Sequence, residues 1–289
     1  MSIAETEILQ QPLPEEEFPL ILDPDQAAAQ LCLNELSYFV KEFWDEIVPN
    51  SLVWNWHMDV LCDEIQAIDE RVFKRQDKLN DLIINVPPGT SKTKIVSVMA
   101  TAWEFARMPE IKVFVGSYSD SAVSGMADDI RRLMKSVKYR TYFPKTNIRK
   151  DADSLHNFKT TLNGEFYAFT ISGTITSKHA DILKVDDPMN PKQAVSAAEI
   201  LSTNTFFDKT LPSRKVDKAV TPTILIMQRL STQDPTGHLL EKKGSEIRHV
   251  CLPATLSDNV KPAEYRKFYI NGYLDPLRLG EKVVREARI

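Results

Sequence analysis

The sequence predicts an α/β fold: a mostly parallel central sheet with helices on both faces. Three observations predict it. Short continuous apolar runs at 82–86, 112–116, 182–186, 223–227 and 247–252 read as strands buried on both sides. Between most of them lie stretches with apolar residues three and four apart, the spacing of sheet-covering helices. Strands alternating with helices give parallel pairing with right-handed crossovers. Composition agrees with a globular protein: 43% hydrophobic and 9% aromatic residues exclude a disordered chain. No apolar run approaches the roughly 18 residues of a membrane span. The start, MSIAETEILQQPLPEEE, lacks the basic and apolar regions of a signal peptide. Three scattered cysteines, Cys32, Cys62 and Cys251, suggest a reducing compartment rather than a disulfide framework. With only 9 glycines, any phosphate site must be built from few of them.

In chain order, residues 1–25 carry seven acids, four prolines and no Lys or Arg, and read as a flexible acidic arm. Residues 26–48 read as a helix through Leu31, Leu36, Phe39, Phe43 and Ile47, and 56–70 as another through Val60, Leu61, Ile65 and Ile68. The run 82–86 is stopped by Pro87-Pro88-Gly89-Thr90, and a helix follows over about 92–107. After the strand at 112–116, residues 120–136 form a helix with Ala122, Met126, Ile130, Leu133 and Met134 on one face. Arg131, Arg132 and Lys135 fall on the other. They begin a basic stretch over 131–150 that holds eight Lys and Arg and no acid. That stretch is either a solvated face or a surface for phosphate backbone. Residues 157–172 alternate around Asn163-Gly164, a hairpin signal. The run 182–186 is stopped by Pro188, and residues 194–211 read as a helix. The apolar strands stop at Pro253, so 26–253 forms the core and 254–289 a smaller second piece.

Three segments could carry chemistry. INVPPGTSKTK, residues 84–94, has the order strand, tight loop, Lys-Thr, helix. Backbone N–H groups of such a loop and a helix N-terminus face phosphates. Pro88, Gly89, Thr90, Ser91 and Lys94 would line them, Lys92 would reach the β- and γ-phosphates, and Thr93 would place its hydroxyl on Mg²⁺. Only Lys92 and Thr93 match the fixed positions of G-x-x-x-x-G-K-[ST], because Val86 and Ser91 replace the two glycines. An ordinary strand–turn–helix with an exposed lysine reads equally well from this segment alone. The second segment, ILKVDDPMN, ends a buried strand in two acids. Asp186 would hold the metal, and Asp187 would orient or deprotonate the attacking water. Asp-Pro also marks ordinary turns. The third, ILIMQRLSTQDPTGHLL, ends a strand in Gln228 and Arg229. In a doubly wound sheet, ligands sit outside the carboxyl ends of strands. One crevice would then collect Lys92, Asp186, Asp187, Gln228 and Arg229. This convergence predicts nucleoside triphosphate hydrolysis by positioning and charge stabilisation. The five histidines show no zinc-type spacing.

In order and spacing these motifs resemble the large terminase subunit of tailed bacteriophages, through most of residues 54–285. WNWHMDVLCDEIQAI followed by LIINVPPGTSKT resembles that family's adenine-side segment and Walker A, which makes His57 a nucleotide-side residue. VGSYSDSAVSGMADDIRRLMKS resembles its second core strand and helix, and HADILKVDDP its Walker B. ILIMQRLSTQDPTGHLL resembles its coupling motif, and DPLRLGEKV its lid-region segment. The resemblance implies an ASCE-type P-loop NTPase fold with a small lid subdomain, and ATP with Mg²⁺ as cofactors. It implies double-stranded DNA, a portal protein, a small terminase subunit and a homo-oligomeric ring, a pentamer, as partners. The place of action would be the host cytoplasm and, transiently, the procapsid portal vertex. An arginine from a neighbouring subunit often completes such a site, and Arg131 or Arg132 is the candidate. Family members continue into a nuclease domain. The chain stops at Ile289 with no later acid cluster, so ATPase activity without DNA cleavage is expected. Two departures stand out. Ser91 replaces the usual glycine before the lysine and fits the loop only where φ is negative. Thr176-Ser177-Lys178 stands where the family often has Thr-Gly. Two other readings stay open: a different P-loop enzyme, such as a helicase or small-molecule kinase, and a degenerate P-loop kept as a structural or binding module.

Overall fold

The computed structural model describes residues 23–286 apart from Thr174, Thr176 and Ser177. Nearly all of the expected acidic arm and part of the Thr176-Ser177-Lys178 departure therefore lie outside the described residues. Asp23 caps the first helix, α1 (Pro24–Asn34), so the last residues of that stretch are helical. The single helix expected over 26–48 is two, α1 and α2 (Leu36–Ile47), because Glu35 is extended with φ −134°. The freed Leu36 N–H donates to the Gln66 side chain of α3 (Trp56–Phe73) at 2.8 Å. Periodicity continues across such a break, so the sequence pattern did not reveal it.

Among the described residues, eight strands form one sheet: β1 (Asp81–Asn85), β2 (Lys112–Ser117), β3 (Ile148–Asp153), β4 (Asn157–Thr160), β5 (Glu165–Thr170), β6 (Ile182–Asp186), β7 (Thr223–Met227) and β8 (Ile247–Cys251). Their order is β3-β4-β5-β2-β6-β7-β1-β8. The six strands from β5 to β8 pair in parallel, and β3 and β4 add antiparallel at one edge. β7 lies between β1 and β6, opposite Leu82–Asn85 on one side and Leu183–Asp186 on the other. The Lys-Thr loop and the Asp-Asp turn therefore leave the sheet one strand apart, across β7.

Strand alternation sorts the core into two layers. Leu82, Ile84, Val113, Val115, Ile224 and Ile226 pack toward α1 to α3, α4 (Ala100–Arg107) and α5 (Asp120–Lys135). Ile83, Phe114, Leu183, Val185, Leu225 and Met227 pack toward Phe206, Phe207, Leu211 and Leu239. A short helix, α6 (Val137–Tyr142), follows α5. The helix expected over 194–211 breaks into a short turn, α7 (Ala197–Thr205) and tighter or wider turns up to Arg214. Leu239 belongs to α8 (Pro235–Lys243), which follows β7. Residues 254–286 hold little regular structure beyond a 3-10 helix, Ala263–Phe268, and a terminal α9 (Glu281–Glu286). Their buried Val260, Leu274 and Leu279 join the first core layer, and Trp56 of α3 packs among Tyr265, Phe268 and Tyr269.

Candidate nucleotide site

β1 runs into Val86-Pro87-Pro88, which cannot continue a ladder at two successive proline nitrogens. Gly89 follows at φ +79° and Ser91 at φ +62°. The negative φ that would suit Ser91 is thus not what the loop adopts. The chain turns through the left-handed region before entering the helix, and the Ser91 carbonyl then accepts the Ile95 N–H at 3.0 Å. A left-handed serine costs about 1–2 kcal/mol relative to glycine. The helix starts as a π-helical stretch, Thr93–Met99, and continues as α4. His57, on α3, is fully buried behind this loop, and its Nε2 meets the Thr90 carbonyl at 3.2 Å. Burial holds its imidazole below the usual histidine range, so the ring is neutral and Nε2–H donates. His57 thus secures the loop from behind.

The second strand end supplies two carboxylates with opposite surroundings. Asp186 is 2% exposed, and its Oδ2 accepts Ser97 Oγ–H at 2.6 Å, while its Oδ1 has no hydrogen-bond partner among the described residues. Burial, and then the charge of Asp187, raise its pKa to about 6, against the pull of Ser97, Lys92 and Thr93. Asp187 sits at φ +43°, a left-handed turn that aspartate tolerates better than most residues. Its N–H donates to the Ile226 carbonyl at 2.8 Å, and its carbonyl accepts the Tyr118 N–H at 3.2 Å. So held, its carboxylate meets Lys92 Nζ at 3.1 Å and accepts the Gln228 N–H at 3.4 Å. Lys92 is 8% exposed at the side chain and Asp187 is 33%. The lysine head is buried, and the carboxylate is partly exposed.

The residues present fit a divalent cation. A buried carboxylate oxygen without a partner, a threonine hydroxyl beside it and a raised carboxyl pKa describe a site short of positive charge. Among the described residues no group of three or more His, Cys, Asp and Glu forms an all-protein metal cage. Mg²⁺ characteristically completes its sphere with water and phosphate oxygens instead.

The third strand end behaves differently. The Gln228 backbone joins the carboxylates, but the Arg229 guanidinium turns to Asp234 at 3.0 Å and to the Ser231 carbonyl at 2.9 Å. Asp234 is fully buried and organises the segment, accepting N–H groups of Leu230 at 2.9 Å and Gly237 at 2.9 Å. A Cβ at Gly237 would lie 1.9 Å from the Thr232 carbonyl oxygen, so only glycine closes this turn. Arg229 lines a cavity of about 670 Å³ with Pro87, Pro88, His249, Asn259 and Lys261. That cavity opens beside the phosphate loop and not over Lys92 and Asp187. Burial, and then Arg229, lower the His249 pKa to about 4, and its neutral ring meets Asn85 Oδ1 at 2.8 Å.

Two arginines on α5 lie away from this convergence. Arg131 is 8% exposed, and its guanidinium donates to the Ser154 and Leu155 carbonyls, so it packs inward rather than on the exposed face its spacing suggests. Arg132 is half exposed, with Nη2 donating to Asp129 at 2.8 Å and to the Ile47 carbonyl at 2.9 Å. Asp129 also pairs with Lys94, which links the phosphate-loop helix to α5. The basic stretch finds acids from elsewhere: Lys135 pairs with Asp153, Lys138 with Glu42 at 2.6 Å, and Arg149 with Asp151.

Sequence reasoning missed three supports of the site. Ser97 lies one helical turn beyond Thr93 and reads as a core position. Lys184 sits on β6, two residues before Asp186, and is fully buried. Its Nζ donates to the Val96 carbonyl at 2.9 Å and Thr101 Oγ1 at 3.0 Å, and pairs with Glu104 at 2.5 Å. The lysine thereby ties the Asp186 strand to the helix that follows the loop. A charged residue within an apolar run was the available signal for it. Asp234 lies inside the third segment, whose reading stopped at Gln228 and Arg229.

No protein-family model and no curated protein matches the chain. Solved structures do. One is the large terminase of bacteriophage HK97, with 10% identity and a TM-score of 0.56 over 89% of this chain and 52% of that one. Another is the large terminase of a thermophilic bacteriophage, with 13% identity and a TM-score of 0.41 over 72% of this chain and 53% of that one. A further structure of that thermophilic phage protein, in complex with ADP, has 13% identity and a TM-score of 0.36 over 72% of this chain and 52% of that one. The chain spans about half the length of these structures. Over most of its described length it has the mostly parallel α/β fold of the HK97 bacteriophage large terminase.

Proposed function

We propose that this chain hydrolyses ATP to drive translocation of double-stranded viral DNA into a procapsid, as the motor portion of a large terminase. The observation that carries the reading is the meeting of Lys92 and Asp187 at 3.1 Å, with Thr93 and Asp186 alongside, at strand ends separated by β7. The shared fold with the HK97 large terminase supports the DNA-packaging assignment within the ATPase class. The lid role of residues 254–289, the ring, the portal protein and the small subunit are part of the same proposal. So are a cytoplasmic setting and action at the portal vertex.

In this reading the loop from Pro88 to Thr93 offers backbone N–H groups to the ATP phosphates. Lys92 exchanges its Asp187 partner for the γ-phosphate, which frees Asp187. Thr93 and Asp186 would hold Mg²⁺, which when bound neutralises phosphate charge. Asp187 orients a water and accepts its proton as the oxygen attacks the γ-phosphorus; the bond to the β-phosphate oxygen breaks, and ADP and phosphate leave. The Gln228 N–H, on the same carboxylate, senses whether Asp187 is engaged. Gln228 is followed by Arg229 and the Asp234-held turn, a direct path from the reacting phosphate to a surface segment. Of the two α5 arginines, Arg132 is the one whose side chain reaches solvent and so could serve a neighbouring subunit.

Phosphate release with and without double-stranded DNA tests this, for the wild type, Lys92→Ala and Asp187→Ala. DNA-stimulated release is expected from the wild type, falling roughly a hundredfold or more in both variants. Equal release from all three overturns the site. Release that is lost in the variants but indifferent to DNA overturns the motor and keeps the ATPase. Strand separation by the wild type would make it a helicase.

A further inference from the structure

The sheet has a second charged cavity at the opposite end of its strands, where β1 begins. It measures about 240 Å³ and is lined by Lys78, Lys215, Lys218 and Lys243, with Asp81 and an apolar wall that includes Phe207. Asp81 is the one carboxylate among the lining residues. It is already fully engaged. Its Oδ1 lies 3.2 Å from Lys78 Nζ and 3.3 Å from Lys215 Nζ, and accepts the Thr223 N–H at 2.9 Å. Its Oδ2 accepts from Lys243 at 2.7 Å.

Three ammonium groups therefore share one carboxylate, and Lys218 lines the same cavity without contacting it. The Lys215 side chain is only 5% exposed, so water does not relieve the excess charge there. Burial, with Lys78 and Lys243 beside it, holds the Lys215 ammonium below the usual lysine range. An anion bound beside these lysines would favour their charged forms. We propose that this cavity binds a phosphoryl oxyanion between Lys78, Lys215, Lys218 and Lys243. Each ammonium carries three donors, and Asp81 occupies at most one of each. The volume is several times the roughly 30 Å³ share of one water, enough for a phosphoryl group and part of what carries it. Lys218, exposed at the mouth, is the entry contact. The group could come from free inorganic phosphate or from a phosphodiester of duplex DNA; the chemistry of capture is the same.

The test is thermal unfolding of the chain against increasing inorganic phosphate at matched ionic strength, in a Lys92→Ala background that weakens capture by the loop. A ligand that binds only the folded state raises the midpoint. The midpoint is expected to rise, and Lys218→Gln is expected to weaken the fitted phosphate affinity roughly tenfold, the worth of one charged hydrogen bond. Lys215→Met should abolish it. Because that buried substitution can compromise folding, the exposed Lys218→Gln and the half-buried Lys243→Gln carry the decision. A parallel titration with a short DNA duplex separates the sources. Sensitivity of duplex binding alone to these lysines assigns a phosphodiester, and sensitivity of phosphate binding assigns the free ion. Phosphate and duplex titrations unchanged in both variants overturn the proposal. No step of the test depends on ATP hydrolysis, so its failure is distinct from failure of the motor reading.

Discussion

Replacing Ser97 by alanine removes the 2.6 Å hydrogen bond that the Asp186 carboxylate receives and leaves only the weaker pull of Thr93 from that helix. A hydrogen bond to a charged group is worth about 1.5–3 kcal/mol. The full loss is not expected in stability, because Asp186 has an escape. Its pKa is already near 6, so taking up a proton at pH 7 costs only about 1.4 kcal/mol. That cost caps the destabilisation of the metal-free protein. The escape closes when a cation must be held, since a ligand carboxylate has to be ionised. Partners of metal ligands typically change metal affinity by about 10–100-fold. Ser97→Ala should therefore lose no more than about 1.5 kcal/mol in urea unfolding at pH 7. The Mg²⁺ concentration for half-maximal ATP hydrolysis should rise at least about tenfold. An unchanged Mg²⁺ requirement would refute the assignment of Asp186 to the metal and of Ser97 to its orientation.

Other expectations follow from the same geometry. Burial would raise the Asp81 carboxyl, but Lys215, Lys243 and Lys78 overcome it and hold the pKa at about 2. Its folded value lies below its unfolded one, so its contribution of about 2.5 kcal/mol is present above pH 4 and is lost as pH falls toward 2. Asp81→Asn should flatten that limb of a stability–pH curve from urea unfolding. Ser91→Gly should relieve left-handed strain of about 1–2 kcal/mol against an entropic loss of about 0.5–1 kcal/mol. The expected result is a gain between nothing and about 1.5 kcal/mol in unfolding free energy, with Ser91→Val a clear loss. Gly237→Ala should destabilise by about 1–3 kcal/mol, read from the denaturant midpoint, because the new methyl meets the Thr232 carbonyl and loosens the turn held by Asp234.

The strands that carry the site were legible because each is buried on both faces and reads as an unbroken apolar run. The loop, the acidic pair and Gln228 then fell at strand ends by counting alone. Elements with weaker patterns were not legible. β3 reads IRKDAD, a partly exposed edge strand whose charges resemble a loop. The basic stretch over 131–150 contains no acid, and its partners Glu42 and Asp153 come from outside it. Arg131 looked exposed by helical spacing, yet the carbonyls that bury it belong to the loop after β3. Ser97 and Lys184 act through contacts about 90 residues away along the chain, which local periodicity does not encode. The left-handed φ of Ser91 is a property of the loop geometry that residue type alone argued against.

That the Lys92–Asp187 pair marks a nucleotide site between β1 and β6 is tested most directly by a crystal structure with Mg²⁺ and a non-hydrolysable ATP analogue. The phosphates are expected on the backbone of residues 88–93, Lys92 Nζ on the γ-phosphate and no longer on Asp187, and the cation on Thr93 and Asp186. A nucleotide bound elsewhere, or one bound with the Lys92–Asp187 pair intact, would contradict it.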